Sequence, residues 1–145
     1  MSSTPPLTTS DTTPQTTSTA TPPSTTYPAS CHCGAITYTV TTPPLSDPSS
    51  TVSNCNCSIC ARNGYLFIYV PIADIKFESG EDAMTSYKFG KERIAHQFCP
   101  VCGTSLFGKC VDPTFFPGMV AVNVRAFKDM DLTSLKKRDI DGKSM

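Results

Sequence analysis

Apolar positions along this chain fall into short runs, not into the long 3.6-residue stripes of amphipathic helices. Ile36-Thr37-Tyr38-Thr39-Val40 is β-branched and aromatic, and predicts a strand. Tyr65 to Val70 is continuously apolar, the strongest strand signal in the chain, and Pro71 stops it. Residues 72–91 predict one or two short strands, with turns at Ser79-Gly80 and Phe89-Gly90. Ile94 to Phe98 leads into Cys99-Pro100-Val101-Cys102-Gly103, and Thr104 to Cys110 predicts the next strand. Val120, Val122 and Val124 alternate within Met119 to Arg125, the pattern of a half-buried strand. Residues 41–51 hold three prolines and residues 112–118 hold two, so both predict loops. Leu132 to Arg138 predicts a short helix. The sum is a mostly-β domain of short antiparallel strands joined by cysteine-bearing turns.

Composition changes this picture at the N-terminus. Residues 1–30 contain eleven Thr, six Ser and six Pro, and Asp11 is their only charge. Such a segment buries too little apolar surface to offset the entropy of ordering it. The expectation is a disordered Thr/Ser/Pro-rich tail over residues 1–29 and one folded domain over 30–145. That domain carries all eight cysteines. Residues 31–145 hold twelve basic and eleven acidic side chains, a net charge of +1. Nucleic-acid binding by charge neutralisation needs clustered Lys and Arg, so no nucleic-acid partner is expected. No apolar run approaches the length of a membrane span, and no membrane partner is expected.

The first basic residue is Arg62, so the N-terminus has neither the basic region of a secretory signal nor the arginines of a mitochondrial presequence. Eight cysteines without such a signal point to a reducing cytoplasmic setting, where thiols bind metal. A disulfide framework is the other reading, and the spacing disfavours it. Seven cysteines form three groups: Cys31-x-Cys33, Cys55-x-Cys57-x-x-Cys60 and Cys99-x-x-Cys102. The Cys-Pro-x-Cys-Gly turn aims two thiolates at one point, and Gly103 permits the positive φ that such turns use. Cys-x-Cys can supply the two further ligands of a tetrahedral zinc, because residues i and i+2 of an extended chain project to one side. The middle group offers three cysteines and no obvious fourth ligand. Three protein ligands and one open position are the pattern of a catalytic zinc. Three thiolates make the metal a poor activator of water but a good partner for an incoming thiol, a soft ligand. A second structural zinc completed by His96, Cys110 or another residue is the alternative.

These segments resemble a known family. Cys-His-Cys-Gly, Asn-Cys-Asn-Cys-Ser-Ile-Cys-Ala-Arg-Asn-Gly, Phe-Cys-Pro-Val-Cys-Gly-Thr and Val-Asn-Val-Arg, in that order, are similar to the glutathione-dependent formaldehyde-activating enzyme family. It is also called the S-hydroxymethylglutathione synthase or centromere protein V-like family. The resemblance implies a zinc-stabilised β-tent. It implies a structural zinc on Cys31, Cys33, Cys99 and Cys102, and a catalytic-type zinc on Cys55, Cys57 and Cys60 near a glutathione site. It implies a carbon–sulfur lyase or synthase whose small-molecule partner is a thiol or thiol adduct, the glutathione–formaldehyde adduct being the type substrate. The alternative is a non-catalytic zinc scaffold that binds a protein or chromatin partner.

Arg62 and Arg125 are candidate ligands for the carboxylates of a glutathione-like molecule, because the guanidinium fork fits them. Asn54 and Asn56 flank the middle thiolates and either orient a ligand or cap the local turn. His32 should point away from a metal. His96 reads as a half-exposed strand histidine or a proton shuttle, and Cys110 as a small buried hydrophobe. Tyr65, Phe67 and Tyr69 read as core, and Lys136-Lys137-Arg138 as a solvated face.

Overall fold

A computed structural model describes residues 23–144. Among these residues, ten strands form two sheets. The smaller sheet has the order β1 (Thr25–Ser30), β2 (Thr37–Thr42), β5 (Ile75–Ser79). The larger begins with β10 (Lys137–Ile140), β3 (Val52–Cys55) and β4 (Phe67–Pro71). It continues through β9 (Met119–Asn123), β8 (Ser105–Cys110), β7 (Ile94–Phe98) and β6 (Thr85–Tyr87). One α-helix is present among the described residues, α1 (Ser58–Asn63). The mostly-β expectation therefore holds.

The two sheets bury their facing side chains against each other. Tyr38 and Val40 of β2, Leu106 and Phe107 of β8, and Val120 and Val122 of β9 belong to one apolar cluster. The Tyr38 ring lies 4.8 Å from that of Phe107 and 5.5 Å from that of Phe77 on β5. Burying several such side chains, each stabilising by about 1.5–3 kcal/mol, gives the β-branched strand runs their energetic basis.

Four expectations need correction. The folded region starts earlier than residue 30: Thr25–Ser30 pairs antiparallel with β2, and Ala29 is buried. Backbone pairing and one buried face order a segment whose composition reads as tail. The rest of the expected tail, residues 1–22, lies outside the described residues. Strand β9 is not half-buried, because residues 120–123 are buried on both faces between β4 and β8. Leu132 to Arg138 is not an α-helix: Leu132–Ser134 is a 3-10 turn capped by the Asp131 side chain, and β10 begins at Lys137. Finally, β10 runs parallel to β3, with Lys137 opposite Val52 and Ile140 opposite Cys55. That one parallel pair carries the C-terminal segment past Cys55.

Candidate functional site

The hairpin turn after β1 and the turn between β7 and β8 bring Cys31, Cys33, Cys99 and Cys102 together. Their four sulfurs lie within 4.8 Å of one another. The Cys31–Cys33 and Cys33–Cys99 sulfur separations are both 3.7 Å. A tetrahedron with Zn–S of about 2.3 Å has S···S edges of about 3.8 Å, so this donor set fits zinc in number, type and spacing. Gly103 follows with φ +79°, as the turn requires. Backbone amides of Ile36 (3.3 Å, to Cys31) and Val101 (3.4 Å, to Cys99) donate to the sulfurs. The Thr104 hydroxyl lies 3.2 Å from the Cys102 sulfur. Hydrogen bonding from Thr104, side chain first and then backbone, brings the Cys102 thiol down to about 5. Cys33 behaves oppositely. The Ala35 amide lowers it, but desolvation and the Cys31, Cys99 and Cys102 thiols together push it up to about 11. Crowded thiolates resist the last ionisation, and a divalent cation relieves that repulsion.

The second group is built at the start of α1. Cys55 ends β3, Cys57 is the N-cap residue, and Cys60 lies one turn into the helix. Gly64 closes that helix in the left-handed region, its amide bonded to the Cys60 carbonyl at 2.9 Å. The three sulfurs lie within 4.8 Å of one another, and among the described residues no Cys, His, Asp or Glu atom joins them as a fourth. The set fits a soft divalent metal with one coordination position not taken by the protein. Cys60 packs against Tyr65, Phe67 and Ala121, and burial followed by the neighbouring Cys57 pushes its thiol up. Burial opposes ionisation of Cys57 too, yet the Cys60 amide and thiol hold it below the ordinary thiol range.

The C-terminal segment is fastened to this group. Asn54 Nδ2 donates to Asp139 at 3.0 Å, and Asn56 Nδ2 donates to Asp141 at 3.0 Å. The Lys143 amide donates to Asn56 Oδ1 at 2.9 Å. Neither asparagine caps the local turn, and both line a hollow beside Ala61 of α1. They hold residues 139–143 beside Cys55.

A cavity of about 620 Å³ opens on the other flank of α1. Ser58, Ile59 and Arg62 form one wall, and Tyr87, Phe89 and His96 another. Ser58 and Ile59 occupy the chain between Cys57 and Cys60, so the helix is a wall shared with the second thiolate group. Tyr65 is shared as well: it lines the cavity and packs against Cys60. A smaller hollow of about 490 Å³, bordered by Cys55, Asp139 and Asp141, lies on the C-terminal side. The electrostatics of the two differ. Among the described residues, Arg62 is the one charged side chain lining the first, whereas the second is lined by two carboxylates and no cation.

Residues 26–139 match the family model described as glutathione-dependent formaldehyde-activating enzyme. The chain belongs to that family. The crystal structure of a Rhodobacter sphaeroides protein, a structural-genomics target, superposes with a TM-score of 0.63 at 24% identity. The match covers 77% of this chain and 99% of that one, and supports the fold.

Membership of the glutathione-dependent formaldehyde-activating enzyme family agrees with the thiolate chemistry, and the structure places the remaining candidates. Arg62 is exposed at the cavity, its Nη1 donating to the Ser58 carbonyl at 2.9 Å. Arg125 is outside the cavity lining. Its Nε donates to the Gly64 carbonyl at 2.6 Å, which ties the end of α1 to the segment after β9. His32 is exposed and joins neither thiolate group. His96 is buried, not half-exposed, with Nδ1 3.3 Å from the Tyr65 hydroxyl. Cys110 lies on β8 outside both groups. Tyr69 is exposed and not core, while Tyr65 and Phe67 are buried. The sequence reading missed Tyr87 and Phe89 as cavity residues. Nothing local marks them, because a three-residue edge strand and a turn have no periodicity to read.

Proposed function

We propose that this protein is a zinc-dependent carbon–sulfur lyase or synthase acting on a glutathione-type thiol adduct. The observation that carries the reading is the three-sulfur group of Cys55, Cys57 and Cys60, lacking a fourth protein ligand among the described residues and sharing α1 with a cation-lined cavity. Zinc bound there supplies a soft cation that favours the substrate sulfur as thiolate at neutral pH. Cys31, Cys33, Cys99 and Cys102 hold a second, purely structural zinc in this reading.

The protein's own residues do the rest. Three cysteine thiolates leave the centre with net negative charge, which disfavours water activation and so hydrolysis. Arg62 pairs with a substrate carboxylate. The acidic hollow beside Asp139 and Asp141 repels an anionic tripeptide, so the substrate enters from the Arg62 side. In the synthetic direction the substrate sulfur forms a bond to a carbonyl carbon. The carbonyl π pair moves to oxygen, and that oxygen takes up a proton; lysis reverses each change. His96 is held below its usual range by burial, so at pH 7 it is neutral and places no competing charge in the cavity.

Zinc per chain, measured under reducing conditions with and without millimolar glutathione, tests the reading. Two zincs with the second perturbed by glutathione support it. One zinc, or two that ignore glutathione, overturn it and leave a structural scaffold. Cys57→Ser is expected to fold, keep one zinc and lose turnover.

A further inference from the structure

The cavity beside α1 is more aromatic than a one-carbon electrophile needs. Four nearly parallel rings line it in sequence, and a fifth, Phe67, continues the row into the core. Tyr87 and Phe89 are 5.7 Å apart at 21°, and Phe89 and His96 are 5.6 Å apart at 24°. His96 and Tyr65 follow at 5.9 Å and 27°, then Tyr65 and Phe67 at 4.1 Å and 24°. The inner end of the row is buried against Cys60. The outer end is open: Tyr87 is 53% exposed and Phe89 44% exposed.

The two outer rings, Tyr87 and Phe89, retain exposed apolar area lining a concave site, and a ligand that covers it gains its removal from water. A hydroxymethyl group has one carbon and covers neither. A flat ring extends the existing stack, since offset parallel geometry is what the row already displays. Charge sorts the ligand in the same direction. Arg62 meets a carboxylate at the helix wall, and the opposite wall of Tyr87, Phe89 and His96 offers no ion to pair with one.

We infer that the substrate of this site is a thiol adduct whose sulfur-bound carbon carries a planar aryl group, seated against Tyr87 and Phe89 while Arg62 holds the carboxylate of the thiol moiety. This rests on the glutathione reading above and adds the class of the electrophile, an aromatic aldehyde. Cleavage breaks the carbon–sulfur bond of the aryl hemithioacetal. The hydroxyl proton leaves as the carbonyl forms, and sulfur departs with the bonding pair and is protonated to the thiol, so no oxidant or reductant is needed.

Isothermal titration calorimetry on the full-length zinc-loaded chain tests this with glutathione, S-methylglutathione and S-benzylglutathione. The expected result is at least about tenfold tighter binding of the benzyl than of the methyl compound. That ratio should collapse towards one in a Tyr87→Ser, Phe89→Ser double variant whose zinc content matches the parent. Equal affinities for the methyl and benzyl compounds, with glutathione still binding, overturn the aryl assignment and leave the glutathione reading standing. A benzyl preference that survives the double variant also overturns it. Failure of all three ligands to bind overturns both.

Discussion

Gly142 lies against the Cys55 sulfur so closely that a Cβ at residue 142 would overlap it, and would stand 3.2 Å from the Cys57 Cβ. The glycine is required by space alone. The parallel β10–β3 pair delivers it there, and Asn56 pins it by bonding to the residues on both its sides, Asp141 and Lys143. Gly142→Ala is therefore expected to displace Cys55 and release the metal of the second group while the first keeps its own. Elemental analysis should read about one zinc lost per chain, with circular dichroism of the β-sheet retained. Full zinc content in the alanine variant would show that the segment has room to move aside.

The first thiolate group should matter to folding in a way the second does not. A structural zinc contributes roughly 10–16 kcal/mol of apparent binding free energy in small zinc-finger peptides. That matches or exceeds the about 5–15 kcal/mol net stability of a whole domain. Cys99→Ser, which removes a buried ligand between the two sheets' turns, is expected to abolish cooperative unfolding at pH 7. Cys57→Ser is expected to leave a clear thermal transition. Similar melting curves for the two variants would contradict the division into structural and catalytic-type sites.

His96 predicts a pH effect of defined sign. Burial lowers its pKa from 6.5 in the folded state, so the unfolded chain binds the proton more readily. Its contribution to stability is complete above pH 6.5 and is lost as pH falls through the window between 6.5 and the depressed folded value. His96→Gln, which cannot protonate there, should show a shallower loss of stability over that window in urea titrations. Parallel pH profiles for parent and variant would mean that His96 keeps its ordinary affinity for protons in the fold.

The Tyr38 hydroxyl is buried without a hydrogen-bond partner, at the centre of the inter-sheet core. An unsatisfied buried hydroxyl costs about 1–3 kcal/mol. Tyr38→Phe keeps the ring packed on Phe77 and Phe107 and removes the orphaned group. Denaturant unfolding should show the variant at least as stable as the parent, and more stable by about 1 kcal/mol. A clear loss of stability would reveal that the hydroxyl has found water.

Arg62 and Arg125 should separate by function. Arg62→Ala removes the cavity's cation and is expected to weaken glutathione binding about tenfold, the scale of one lost charge-assisted hydrogen bond. Arg125→Ala frees the Gly64 carbonyl at the end of α1, so its effect should appear in thermal stability. Calorimetry and melting curves on the two variants check the assignment.

The cysteine donor groups are written in local spacing. Cys-x-Cys, Cys-x-Cys-x-x-Cys and Cys-x-x-Cys-Gly specify turns over a few residues, so the sulfur groups, and most strands, are legible from local spacing. The pairing of residue 31 with residue 99 and the placing of Arg62 and Tyr87 around one cavity involve chain closures that no local pattern encodes. Tertiary structure alone decided those contacts, because they depend on which strands become neighbours when the apolar faces are buried. It also ordered Thr25–Ser30, where backbone pairing to β2 outweighs a composition that reads as tail. It moved His96 from an expected half-exposed position to a buried one, and Arg125 from a candidate ligand contact to the end of α1. Gly142 shows the limit most clearly: its requirement is the absence of a side chain, and only the sulfur brought against it across the parallel strand pair makes that absence matter.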